Sequence, residues 1–269
     1  MTAIRRAILI AAGRGKRLGP HTEEIPKCMV QVGARPILGW VWKAFELAGI
    51  EELVVIRGYR GDTLEAFARG LAPRVHFADN AEWQTNNILL SLMTARRFLD
   101  QPCLLSYSDI IFTPAVARAA VESPAEIGLV IDRRFRDIYE GRTEHPLEEG
   151  EVSDLMPDGS VARVGKKALP PAGAIGEYIG LTRLGERGVA IAARALDRLA
   201  HDYAGREEQP FQRAASYRNA YLTDLWQQLI DGGIRLDPVL IEGQWREIDT
   251  GQDLERAREL VESCPEEWS

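Results

Sequence analysis

The chain has 269 residues and carries 40 Asp and Glu against 33 Lys and Arg, a formal net charge of −7. At roughly 100–200 residues per domain this is one large α/β domain or two small ones, and a composition of 45 % hydrophobic and 27 % charged residues is that of an ordinary globule with a real core. The acidic balance disfavours a nucleic-acid partner, which calls for a basic surplus, yet leaves room for small phosphorylated ligands, because a few local charges can hold those.

The first apolar run, residues 7–12, is too short for a signal-peptide core or a bilayer span, and Arg14, Lys16 and Arg17 follow it. A cytoplasmic protein without a membrane partner is expected. Residues 6–12 read as a buried parallel strand, and residues 36–49 as a helix opened by Pro36 and closed by Gly49. Strands follow at 53–56, 74–78, 103–107 and 127–131, with helices at 62–69 and 86–99. Repeated β-α units of this length predict a doubly wound sheet with helices on both faces.

The second half is less regular. Residues 132–150 are dense in charge and long for a plain connection, which suggests a functional loop. A hairpin is expected over 152–164 around Pro157-Asp158-Gly159, a strand at 178–184 and a helix at 189–203. A polar, mobile segment at 205–218 precedes a helix at 220–230, a strand at 239–241 and a closing helix at 254–261. No linker marks two independent domains. Three distant cysteines and four histidines without an HExxH pattern make a disulfide framework or a zinc site improbable.

The strongest local signal is Ala11-Ala12-Gly13-Arg14-Gly15-Lys16-Arg17-Leu18-Gly19, directly after the first strand. Glycines bring backbone N–H donors close to a phosphate chain, and the basic residues add charge where a triphosphate needs neutralising. The dinucleotide fingerprint fails because Leu18 replaces its third glycine, and no GxxxxGK[ST] is present. Pro26-Lys27 follows, then Met29 to Val32 and Pro36-Ile37-Leu38.

The combined pattern AAGxGxRLxP…PKxMxxVxxxPIL resembles the signature of the nucleoside-triphosphate transferases, the pyrophosphorylases and cytidylyltransferases. The resemblance implies a single Rossmann-like, GT-A-type α/β domain over 1–269. Its mixed, mostly parallel sheet would be flanked by helices and carry a small β insertion. Residues 1–125 would bind nucleotide, and 126–269 would bind the acceptor and complete the metal site. By motif match Ala11, Ala12, Gly13, Arg14 and Gly15 would wrap the nucleotide phosphates, with Lys16, Arg17 and Lys27 as the catalytic cations.

Asp109, at the carboxyl end of the strand 103–107, lies on the ligand side of an open α/β sheet. In the family an Asp at that place holds Mg²⁺. The run Trp245 to Leu254 resembles the family ending that supplies the second ligand, here Asp249, although Asp249, Thr250 or Asp253 also suits a helix N-cap. The segment with Asn80, Asn86, Asn87 and Ser91 resembles phosphocholine and aminoethylphosphonate cytidylyltransferases, where amides would read the base; Asn86 is equally a candidate helix cap.

The loop 132–146 resembles the same branch, which implies acceptor phosphate binding by Arg133, Arg142 and His145. Glu148, Glu149 or Glu151 could then hold a cationic amine, and Glu177 and Tyr178 would line the acceptor pocket. The reaction implied is Mg²⁺-dependent transfer of CMP from CTP to a small phosphorylated or phosphonate acceptor, with homodimerisation a family-level expectation. The alternatives are a sugar-1-phosphate nucleotidyltransferase using UTP or dTTP, and a non-catalytic nucleotide sensor. The sensor is disfavoured because Lys27, Asp109 and Asp249 are all present. Residues 1–35 hold seven Lys and Arg against two Glu, so the remainder carries −12. The charge is thus split into a basic beginning and an acidic remainder.

Overall fold

The structure, a computed structural model, describes residues 3–268. Its first half comprises β1 (Arg6–Ala11), the short β2 (Gln31–Val32) and β3 (Arg35–Pro36), α1 (Ile37–Leu47), β4 (Glu52–Arg57), α2 (Gly61–Ala68), β5 (Arg74–Asp79), α3 (Ile88–Thr94), β6 (Cys103–Tyr107), β7 (Ile110–Phe112) and α4 (Pro114–Glu122). The second half comprises β8 (Ile127–Asp132), α5 (Phe135–Tyr139), β9 (Glu151–Leu155), β10 (Val161–Lys166), β11 (Gly176–Leu184), α6 (Glu186–Asp202), α7 (Leu222–Asp231), β12 (Asp237–Ile241), β13 (Trp245–Glu247) and α8 (Gly251–Ser263).

β1 shows why the sheet is covered twice. Ala7, Leu9 and Ala11 face a core built with Leu38, Val41 and Phe45 of α1, whereas Ile8, Ile10 and Ala12 face Leu89 of α3, Leu196 of α6 and Trp226 of α7. A strand buried on both sides has no polar alternation to display. β4 and β6 pair with β1 in parallel on its two sides, and β5 extends the β4 edge. Beyond β6 the order continues through antiparallel β11 to β8, with β12 parallel to β8. The hairpin β9–β10 attaches to the start of β11 through Gly176 and Glu177 and forms the small β insertion. The sheet is therefore mixed and mostly parallel, as expected.

Chain direction across the sheet reverses at β1. The path from β1 leads outward to β4 and β5, then crosses back through α3 to β6 on the other side. Loops leaving the carboxyl ends of β1 and β6 diverge there and open a crevice, the usual ligand position in such sheets. A third, smaller core of Leu18, Ile37, Ile111, Ile248, Leu254 and Val261 binds the glycine-rich loop, β7 and α8 to that crevice.

Several expectations need correction. The helix expected over 86–99 stops at Thr94 and gives way to a 3-10 turn over Arg96–Phe98. Residues 205–218 are mostly exposed, but Phe211 and Tyr217 anchor them: Tyr203 stacks on Tyr217 at 4.4 Å between ring centroids, with Phe211 set edge-on at 5.6 Å. The loop 132–150 contains α5, whose Phe135, Ile138 and Tyr139 are buried at helical spacing. α4 was not anticipated, though Thr113-Pro114 is a legible helix start. Among the described residues no helix is long and apolar enough to cross a membrane.

Candidate active site

The site is closed by a two-stranded antiparallel ribbon in which β13 pairs with β7, Trp245 opposite Phe112 and Glu247 opposite Ile110. Continuing the ladder, the Ile248 N–H donates to the Asp109 carbonyl at 2.8 Å. The ribbon thus sets Asp109 beside Asp249, two residues remote in sequence. Thr250 is the N-cap of α8 and forms a reciprocal capping box with Asp253. The capping role falls there, which leaves Asp249 free to face the crevice.

Lys27 lies between the two carboxylates. It follows Pro26 on a 3-10 turn and is 7 % exposed, with Nζ 2.9 Å from Asp109 Oδ2 and also donating to Asp249 Oδ1. Asp249 additionally accepts from Arg17. Burial opposes the charge on Lys27, but the facing carboxylates of Asp109 and Asp249 outweigh it and hold the ammonium above its ordinary range. Burial would likewise raise Asp249, yet Lys27, His145 and Arg17 keep it well below the usual carboxylate value. Gly15, at φ +74°, makes this placement possible, because a Cβ there would stand 2.7 Å from Lys27 Cδ.

Two cavities meet at this triad. The first, about 170 Å³, is bounded by Ala12, Gly13, Gly15, Lys27, Asn86 and Ser91, with Trp83 on one wall. The second, about 230 Å³, is bounded by Glu151, Lys166, Glu177, Tyr178, Tyr221 and Asp249. Asn87, Ile88, Tyr107 and Asp109 form walls common to both. The Tyr107 ring fits because residue 180 is glycine at φ +84°, where a Cβ would lie 2.4 Å from the ring.

The second cavity combines aromatic faces with carboxylates. Trp245 Nε1 donates to buried Asp132 at 2.8 Å, which fixes the indole. Glu151 accepts from Tyr107 at 3.0 Å and from Thr223 at 2.9 Å, and burial pushes it up to about 7 despite those bonds and nearby Lys166. Glu177 accepts from Tyr139 at 2.7 Å and is pushed up to about 8 by burial and by the charge of Glu247. Its other oxygen, Oε2, is buried without a hydrogen-bond partner. Lys166 stands 4.8 Å above the Tyr221 ring and 3.6 Å from Glu149.

Most of the expected site residues gather here, but not all. Ala11 is inside β1, and Asn80 lies behind the first cavity, where its amide pairs with Asn86 at 2.7 Å and Ser91 at 2.8 Å. Asn87, not Asn86, caps α3, accepting from Ile88 N at 2.9 Å. Arg14 is stacked 5.5 Å over Tyr59, and exposed Lys16 lines neither cavity. Three acceptor-binding expectations are corrected. Arg133 is half exposed and pairs with Glu242 at 3.3 Å, away from both cavities. Arg142 is buried and spent on Asp253, at 2.6 and 3.0 Å, and on Glu247 at 3.0 Å. His145 is buried behind Asp249, 3.4 Å from its Oδ2. A buried guanidinium must be paired, and Nε and Nη2 of Arg142 are engaged by Asp253, Glu247 and His145. Trp83, Tyr107, Lys166, Tyr221 and Trp245 were missed; Trp83 and Trp245 had a signal, since they lie inside the asparagine-rich segment and at the head of the run to Leu254.

The donor set suits a hard divalent cation. Asp109 Oδ1 is buried without a hydrogen-bond partner and lies beside Asp249, so an all-oxygen pair is available. His145, Glu247 and Asp249 also place one ligand atom each within 4.8 Å of one another, a mixed nitrogen and oxygen set. His145 Nδ1 is, however, already 3.1 Å from Arg142, which makes the Asp109–Asp249 pair the better fit for Mg²⁺.

A doubly wound sheet with a glycine loop, a buried lysine and two carboxylates at its switch point defines a nucleotide-handling transferase fold. Residues 7–148 match the MobA-like NTP transferase domain, and the chain belongs to that family of nucleotidyltransferases. It is 29 % identical over 255 residues to the CTP:phosphoglutamine cytidylyltransferase of Campylobacter jejuni, covering 93 % of this chain and 97 % of that one. It is 27 % identical over 161 residues to the 2-aminoethylphosphonate cytidylyltransferase of Lancefieldella rimae, covering 60 % of each. The solved CTP:phosphocholine cytidylyltransferase of Streptococcus pneumoniae shares the fold, with a TM-score of 0.72 and 20 % identity, over 96 % of this chain and 100 % of that one.

Proposed function

We propose that the chain transfers CMP from CTP to the phosphate or phosphonate of a small amine-bearing acceptor, releasing pyrophosphate. The observation that carries this is the meeting of two cavities along a common wall that includes Asp109, with Lys27 opening on one and Asp249 on the other. A nucleotide in the first and an acceptor in the second would bring their phosphates together at the triad. Asn86, Asn87 and Ser91 line the first cavity, and bonds to Asn80, Ile88 N and the Asn219 carbonyl hold them as a fixed polar wall that a pyrimidine edge would meet. Glu151, Glu177 and the ring faces of the second cavity suit an ammonium. The cytidylyltransferase names of the relatives support the same choice of nucleotide.

The chemistry asks for positioning more than for a strong base. A phosphate monoester is largely dianionic near neutral pH, its second pKa being about 6, so an acceptor oxygen can attack the α-phosphorus of CTP directly. The obstacle is repulsion between two polyanions, which fixed cations relieve. Lys27 is already charged and aimed at the junction. Arg17, which lines the second cavity and donates to Asp249, would add positive charge at the junction. Asp109 and Asp249 would hold Mg²⁺, which supplies charge neutralisation of the nucleotide phosphates when bound.

The test is pyrophosphate release from each of the four common NTPs with phosphocholine, 2-aminoethylphosphonate, phosphorylated amino acids and sugar 1-phosphates. CTP with an amine-bearing acceptor is the expected productive pair. Turnover confined to UTP or dTTP with a sugar 1-phosphate would overturn the proposal.

A further inference from the structure

We propose that the acceptor cavity continues into a basic outer subsite that binds an anionic group at the far end of the acceptor. The acceptor class is then a phosphorylated or phosphono amino acid instead of a simple phosphorylated amine. The inference rests on the assignment of the second cavity to the acceptor.

A third cavity, about 500 Å³, adjoins the acceptor cavity and shares Glu149, Lys166 and Tyr221 with it. Its outer wall carries Lys167 and Arg213. Among the described residues neither cation has a carboxylate within ion-pair distance. The acids in the same wall are committed elsewhere. Glu149 faces Lys166 at 3.6 Å, and Asp224 accepts from the N–H groups of Tyr221 at 2.8 Å and Arg213 at 3.3 Å. An anion entering this space would face three cations; Lys166 is offset by Glu149 and Arg213 partly by the charge of Asp224, which leaves Lys167 without a paired carboxylate among the described residues.

The turns that carry those cations are held in costly conformations. Of four non-glycine residues at positive φ among the described residues, Lys167 at +55° and Gln212 at +50° hold the turn after β10 and the turn bearing Arg213. Non-glycine residues in this region persist only where surrounding structure fixes them. The Phe211–Ala214 bridge and the aromatic contacts of Phe211 fix the turn at Gln212, and the Ala168 N–H donating to the Gly165 carbonyl at 3.3 Å closes the turn at Lys167.

Charge would alternate along the connected space once an ammonium in the middle draws Glu151 and Glu177 into their carboxylate forms. Arg17 and Lys27 stand at the reacting end, Glu151 and Glu177 with aromatic faces in the middle, and Lys166, Lys167 and Arg213 at the outer end. The complementary ligand is anion, ammonium, anion in sequence, which is the charge pattern of a phosphorylated amino acid.

Calorimetric titration of the full chain with two matched pairs tests this. O-phospho-L-serine is compared with phosphoethanolamine, and O-phospho-L-homoserine with 3-aminopropyl phosphate, each pair differing by one carboxylate. At least one carboxylate-bearing ligand should bind about tenfold tighter than its counterpart, the scale of one added charge-assisted contact. In the double variant Lys167→Ala, Arg213→Ala that advantage should fall below about twofold. Equal affinity within both pairs, no binding by any of the four, or an advantage that survives in the variant overturns the subsite. Pyrophosphate release assayed with the same ligands separates the two readings. A carboxylate preference in binding without release from any NTP leaves the subsite standing and removes the transfer reaction; release without preference does the reverse.

Discussion

Arg142 was expected to touch substrate, and the structure instead makes it a buried clamp, which gives the two roles opposite consequences. Its side chain is 2 % exposed, and it joins the loop before β9 to the first turn of α8 through Asp253 and to β13 through Glu247. Burial opposes its charge, but the hydrogen bonds to Asp253 and the charge of Glu247 keep it firmly protonated. Arg142→Met keeps most of the stem and leaves both carboxylates without their cation. Removing one partner of a buried pair costs about 3–5 kcal/mol. Urea denaturation should show that loss, and the thermal midpoint should fall by roughly 6–20 °C, at 2–4 °C per kcal/mol for a chain of this order of size. The double variant Arg142→Met, Asp253→Asn should cost less than the sum of the single changes, with coupling of about 1–3 kcal/mol. A variant within about 1 kcal/mol of the parent, with only the acceptor KM raised, would refute the clamp and restore Arg142 as a ligand-binding residue.

Other perturbations separate the remaining parts of the site. Lys27→Met and Asp109→Asn should each lower kcat for pyrophosphate release by about 10²–10³, comparable with loss of one preorganised charge-stabilising group, while near-ultraviolet dichroism keeps its native form. Gly15→Ala should lower kcat about as strongly, because the new Cβ displaces the Lys27 stem; an unchanged kcat would separate the glycine loop from lysine placement. Burial holds Glu151 at about 7 and Glu177 at about 8, above their ordinary 4.5, so the folded chain retains protons that the unfolded chain releases. Their contribution to stability is full below about 4.5 and is lost as pH rises through about 7 and 8. Glu151→Gln should accordingly lose less stability than the parent between about pH 5 and about pH 9 in urea titrations.

What could be read from the sequence follows from how local each feature is. β1, β4, β5 and β6 announce themselves as short apolar runs between turn residues, and the glycine loop with Pro26-Lys27 is contiguous. Asp109 was legible from its place at a strand end. The ribbon of β7 and β13 was not, because three-residue strands more than a hundred residues apart leave no periodicity to detect. Arg142 and His145 line neither cavity: the resemblance of their loop points to substrate, and their partners Asp253, Glu247 and Asp249 stand more than a hundred residues on and leave no local signal. The second cavity was the least legible part. Tyr107, Lys166, Tyr221 and Trp245 come from four separate elements, and only the β9–β10 hairpin and the bend of β11 at Gly180 bring them together.

The β7–β13 ribbon also fixes when in the life of the chain the site can exist. β1, β4, β5 and β6 pair with one another within the first 107 residues, although one face of β1 is covered only by the later α6 and α7. Asp109 acquires its partner only when residues 245–253 are present to pair, cap α8 and turn Asp249 inward. A nascent chain in which β1 to β6 have paired is therefore still without Asp249 beside Asp109, and loss of the last two dozen residues would remove one of the two carboxylates of the candidate site.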